Sequence, residues 1–126
     1  MRLPHLLFPL LVATVTATAS TDTADAADTP PLATGAEIRQ AVSGHTVEGS
    51  MHGTGRYTEF YAADGNVRAK GYRARWSVEG DSMCWVYEGE PKDCWQVSLK
   101  GDQIKWIKGG KVLGGGTRVR GNPNRF

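Results

Sequence analysis

Residues 76–106 read WSVEGDSMCWVYEGEPKDCWQVSLKGDQIKW and hold all four tryptophans and both cysteines of the chain. Strand-like runs flank three turn signals. With Gly80-Asp81 and Gly101-Asp102 each closing a two-residue hairpin, Val78 faces Met83, Trp76 faces Trp85, Leu99 faces Ile104 and Val97 faces Trp106. Apolar residues meet apolar residues at every step. Centring the intervening 88–93 loop near Gly89 sets Cys84 opposite Cys94 and Met83 opposite Trp95. Because side chains alternate along a strand, this register collects the tryptophans on one face and the cysteines on the other.

Working outward, the pattern continues in both directions. Residues 46–50 and 56–62 are strand-like, separated by a glycine-containing loop, and Asp64-Gly65 is a hairpin signal that, as a two-residue turn, pairs Ala62 with Val67 and Phe60 with Ala69. Gly71 marks a bulge or corner that brings Tyr72, Ala74, Trp76 and Val78 inward. Beyond Trp106, Gly109-Gly110 turns the chain into residues 111–113. The glycine run 114–116 is expected to loosen it before a last strand at 117–120. Ahead of the strands, Thr34-Gly35-Ala36-Glu37 has the form of a capping box. Ile38, Ala41 and Val42 follow at helical spacing, and Ser43-Gly44 ends the helix. Two turns are too short to be stable alone, so the apolar stripe must dock on the sheet or on the open end of a barrel. The expected fold is mainly β: a single antiparallel meander of short strands forming a small barrel or strongly bent sheet, with one short N-terminal helix.

The N-terminus has the features of an export signal. Arg2 precedes a short apolar run, and Ala17-Thr18-Ala19 is a small-residue cleavage site, so residues 1–19 read as a signal peptide. The run is too short to span a bilayer, for which about 20 apolar residues are needed, and no transmembrane segment is expected in the mature chain. Residues 20–33 are small, polar and acidic and read as a disordered tether, leaving residues 34–126 as one small β domain. At 40% hydrophobic and 22% charged residues, the composition is that of an ordinary soluble protein.

The segments TGAEIRQAVSGHTVEG, YAADGNV, RWSVEGDSMCW, CWQV, GDQIKW and the closing GNPNRF resemble a family of small exported proteobacterial proteins of unknown function. The resemblance covers residues 34–126. It implies an exported, periplasmic β domain and transfers no active-site residue.

Two facing cysteines in an exported chain are expected to form a disulfide, Cys84 with Cys94. Nine residues intervene, unlike the C-x-x-C spacing of redox-active pairs. His45 and His52, with Met51 and Met83, match no established ligand spacing, and no metal or cofactor is assigned. Catalytic signatures are likewise missing: there is no nucleophile elbow, phosphate loop or HExxH. The expectation is a non-enzyme. Glu59 lies beside Phe60 and Tyr61, but alternation turns it outward, to solvent.

Two surfaces remain as candidates. Tyr57, Phe60, Tyr72, Trp76, Trp85, Trp95 and Trp106 either line a site for a small apolar ligand or interdigitate as core, the latter favoured by the small size of the chain. Arg68, Lys70, Arg73 and Arg75 crowd two adjacent runs. On strands such residues usually form the solvated face, but as one patch they would suit an anionic surface. Nucleic acid is not an expected partner after export. The functional expectation is an accessory or small-ligand-binding domain, with a protein-interaction or inhibitor module on the basic face as the alternative.

Overall fold

The computed structural model describes residues 30–126; the signal-peptide reading and residues 20–29 of the tether lie outside the described residues. Eight antiparallel strands follow one another around a closed barrel, preceded by one helix. In chain order these are α1 (Gly35–Val42), β1 (His45–Met51), β2 (Gly55–Tyr61), β3 (Asn66–Ala69), β4 (Tyr72–Glu79), β5 (Ser82–Tyr87), β6 (Asp93–Lys100), β7 (Gln103–Lys108) and β8 (Lys111–Arg120). Closure comes from β8 pairing back onto β1, His45 opposite Arg120 through Met51 opposite Gly114.

The central hairpins take the expected register. Trp76 lies opposite Trp85 and Val78 opposite Met83; Val97 lies opposite Trp106 and Leu99 opposite Ile104. Met83 faces Trp95 and Cys84 faces Cys94, and the two cysteines are joined in a disulfide. Trp76, Met83, Trp85, Val97, Ile104 and Trp106 are buried in the barrel.

Helix α1 plugs one end. Thr34 Oγ1 accepts from the Glu37 amide while Glu37 Oε2 accepts from the Thr34 amide at 2.8 Å, completing the capping box. The Gly35 amide donates to Asp81 Oδ1 at 2.8 Å in the β4–β5 turn, and a Cβ at Gly35 would sit 2.1 Å from the Gly80 carbonyl oxygen. Glycine is what lets the helix start so close to that turn. Ile38, Ala41 and Val42 are buried in the core beneath it. Attachment begins before the cap: Leu32 bridges Ser98, and the Ala33 amide donates to the Val97 carbonyl at 2.7 Å.

Two expectations are corrected. The glycine run does not interrupt the last strand. β8 continues through Gly114, Gly115 and Gly116 and holds the seam between β7 and β1. Close approach is the reason: a Cβ at Gly49 would meet the Gly115 carbonyl oxygen at 1.9 Å, and one at Gly116 would meet the Tyr57 hydroxyl at 2.8 Å. Side chains at these positions would hold the strands apart.

The second correction moves a whole face. Asp64-Gly65 lies in a three-residue loop, not a two-residue turn: the Ala62 amide donates to the Asn66 carbonyl, the Gly65 amide to the Ala62 carbonyl, and Gly65 takes φ +90°. A type I turn followed by a left-handed glycine is a standard three-residue hairpin. Tyr61 therefore pairs with Val67 and Phe60 with Arg68, in place of Ala62 with Val67 and Phe60 with Ala69. A slip of one residue exchanges the two faces of a strand. Tyr57, Glu59 and Tyr61 of β2 consequently point into the barrel, and Phe60 lies on its outer side opposite Thr46.

Candidate functional site

The end of the barrel away from α1 is open. A cavity of about 820 Å³ enters there, bordered by the β1–β2, β3–β4 and β5–β6 connections and floored by Glu59, Tyr61, Trp85 and Trp106. Its depth follows from the placement of α1. The helix covers the opposite end and adds Ile38, Ala41 and Val42 to the core, and the strand ends at Met51, Tyr72 and Tyr87 have no equivalent cover.

Glu59 is the centre of this floor. Expected at the solvated surface, it is 4% exposed, because the β2 register turns it inward. Three phenols donate to its carboxylate: Tyr61 to Oε2 at 2.5 Å, Tyr72 to Oε1 at 2.8 Å and Tyr87 to Oε1 at 2.9 Å. They come from three different strands, so β2, β4 and β5 must curl around one interior before the set is complete. Among the described residues Glu59 has no salt-bridge partner. Burying a carboxylate without a counter-ion is costly unless hydrogen bonds replace its water, and hydrogen bonds to an ionised acceptor are about twice as strong as neutral ones. Three hydroxyls perform that replacement here.

Burial, reinforced by the negative charge of Glu59, pushes the phenols of Tyr61, Tyr72 and Tyr87 well above the ordinary tyrosine value. Burial also raises Tyr57 to about 12, against the opposing hydrogen bond from Trp106. All four phenols are held protonated, as donors.

The indoles are equally well anchored. Trp106 Nε1 donates to the Tyr57 hydroxyl at 2.7 Å, which itself donates to the Gly115 carbonyl at 3.1 Å. Trp85 Nε1 donates to the Tyr61 hydroxyl at 3.3 Å, and its ring meets Trp106 edge-on at 5.1 Å. At the rim, Trp95 Nε1 donates to Asp93 Oδ2 at 2.8 Å. Asp93 also receives the Lys108 ammonium, which lies 5.3 Å over the Trp95 ring.

The aromatic residues named from sequence thus divide. Tyr57, Tyr72, Trp85, Trp95 and Trp106 line the cavity. Trp76 belongs to the solid core, its Nε1 donating to the Ala62 carbonyl at 2.8 Å and its ring edge-on to Tyr61 at 6.2 Å. Phe60 belongs to neither group. The lining residues that were not among the sequence candidates include Glu59 and Tyr61 of the floor and Tyr87 of the wall. For Tyr87 a signal existed, since it lies two residues beyond the inward Trp85 on one strand.

The basic candidates stand outside. Arg68 lies opposite Arg73 and Arg75 opposite Asn66 across β3 and β4. Arg68 is 3.9 Å from Asp64, and Arg75 donates to Asn66 at 3.3 Å. Lys70 sits in the β3–β4 turn, and Arg73 reaches the cavity rim. His45, bonded to the Ser43 carbonyl, and His52 lie at opposite ends of β1. Among the described residues one group, Glu79 with Cys84 and Cys94, brings metal-donor atoms together, and its two sulfurs are joined in the disulfide.

No protein-family model, curated protein or solved structure matches this chain.

Proposed function

We propose that the protein is an exported, non-enzymatic domain that binds a small ligand in the open end of its barrel. The observation that carries this reading is the cavity itself. About 820 Å³ falls within the roughly 300–1,000 Å³ range of small-molecule sites, and its wall is aromatic with one buried polar cluster. A binding role fits the chemistry of that cluster better than catalysis does. Both Glu59 oxygens already accept from phenols, and those phenols are pushed away from neutral titration. The arrangement is rigid and preorganised, as recognition requires.

Export to a bacterial periplasm is supported by the leader-like residues 1–19, by the resemblance to exported proteobacterial proteins, and by the Cys84–Cys94 disulfide, a bond characteristic of oxidising compartments. The exposed strip Arg68, Lys70, Arg73 and Arg75 is convex and in part neutralised by Asp64, so the cavity is the better supported binding surface.

The test is a titration with N-phenylnaphthylamine, a neutral aromatic probe. Saturable quenching of tryptophan fluorescence is expected, accompanied by a rise in melting temperature, because a ligand that binds the folded state stabilises it by mass action. Linear, unsaturable quenching with an unchanged melting temperature would remove the basis for the proposal.

A further inference from the structure

Resting on the ligand-binding reading, we infer that the cavity selects an organic cation of the alkylated-ammonium class, carrying an apolar body.

The first observation is charge. The residues bordering the cavity include the carboxylates Glu59, Glu88, Glu90 and Asp93 against the guanidiniums Arg56 and Arg73. Two of these are matched elsewhere: Asp93 by Lys108 and Arg56 by Glu48. What remains is Glu59, Glu88 and Glu90 against Arg73; Glu88, Glu90 and Arg73 are exposed at the rim, and the buried Glu59 has only uncharged phenols as partners. In a recess of low dielectric an uncompensated charge acts strongly on whatever enters. It attracts cations and repels anions.

The second observation is the kind of wall. Aromatic faces carry negative quadrupole potential, and cages of tyrosine and tryptophan around a carboxylate are a general solution for holding ammonium groups. The cavity supplies such a wall in Tyr57, Tyr72, Tyr87 and Trp95, over a floor where Tyr61, Trp85 and Trp106 lie almost wholly buried beside Glu59. It also contains an ammonium in a like setting: at the rim, the Lys108 amine sits between the Asp93 carboxylate and the face of Trp95.

Hydrogen-bond capacity then narrows the class. Two donors fall on Oε1 of Glu59 and one on Oε2, so three of about four acceptor positions on a carboxylate are filled. The surrounding hydroxyls are committed as donors. A primary ammonium would have to divide three N–H groups between that one remaining carboxylate position and the spare lone pairs of the phenol oxygens. An ammonium whose hydrogens are replaced by alkyl groups needs no such partners and gains from contact with the rings.

The experiment compares three ligands of similar shape on the wild-type protein: phenyltrimethylammonium, its neutral isostere tert-butylbenzene, and benzenesulfonate. Affinity is read by calorimetry and tryptophan quenching. The expected result is that the cation binds about tenfold or more tightly than the neutral isostere, with the sulfonate weaker than both. Magnetisation transfer from the N-methyl protons should reach the indole protons of Trp85 and Trp106. Glu59→Gln, which keeps the shape of the side chain, should abolish the preference while retaining tert-butylbenzene binding. The wild-type affinity ratio and the transfer experiment decide the matter even if that variant does not fold. Equal or better binding of the neutral or anionic compound, or transfer confined to rim residues, overturns the cation inference and leaves the ligand-binding reading standing. Failure of all three to bind overturns both.

Discussion

Glu59 holds its place through neighbours that are themselves altered by it. The carboxylate takes three phenolic protons in hydrogen bonds, and its charge, added to burial, raises the phenol pKa values. The chain has four tyrosines, and all four are affected. The sign of the pH effect follows. A phenol whose folded pKa lies above its unfolded value of 10 contributes stability in full below pH 10. That contribution is lost as pH rises from 10 through the folded pKa, about 12 for Tyr57 and well above the ordinary tyrosine value for the other three. Followed by phenolate absorbance, the native protein should show almost no tyrosine ionisation at pH 10, and what appears at higher pH should coincide with unfolding by circular dichroism. A titration midpoint near 10 in the folded protein would contradict the network. None of this was visible in the residue types alone, because Glu59 in isolation is an ordinary strand carboxylate.

At the scale of the element, the β2–β3 connection and the β8–β1 seam matter most. One additional loop residue, Ala63, separates the observed hairpin from the two-residue alternative, and that residue decides whether Glu59 or Phe60 enters the barrel. Asp-Gly is a hairpin signal in either case, so the turn could be located from sequence while its length could not. The tripling of inward groups at Tyr57, Glu59 and Tyr61 is a consistent period-2 face, but burial of a carboxylate argues against it until the partners on β4 and β5 are known. At the seam, glycine serves packing as much as flexibility. Gly49→Ala would force a methyl group to within 1.9 Å of the Gly115 carbonyl oxygen, and the neighbouring atoms are β8 backbone at Gly115 and Gly116, which leaves little room to yield. Overpacking of this kind costs about 1–3 kcal/mol. Chemical denaturation should show a lowered midpoint of that size; Gly53→Ala, in the β1–β2 loop, meets no atoms at its Cβ position and reports instead the cost of a left-handed backbone, φ +90°, which Gly49 does not share.

For the whole molecule, one domain of this size has a limited core, and one end of the barrel is given to the cavity. The disulfide offsets part of that. Cys84 and Cys94 lie 10 residues apart in sequence, and closing a loop of that length restricts the unfolded chain by about 2–3 kcal/mol. Replacing both cysteines by alanine should lower the melting temperature by roughly 10 °C or more, at about 4–8 °C per kcal/mol for a small domain, without changing the far-ultraviolet spectrum. An unchanged melting temperature would mean that the bridge contributes nothing. The central hairpins, the helix with its cap and the cysteine pairing were legible in the sequence, because each depends on local turn chemistry and on alternation within a few residues. Closure of the meander, the strand running through Gly114–Gly116, and the division of the aromatic set into core and cavity wall were decided only by the tertiary structure. Those features depend on which distant strands become neighbours: Glu59 becomes a buried centre only when β2, β4 and β5 curve around one interior, and the cavity opens at the barrel end that α1 does not cover.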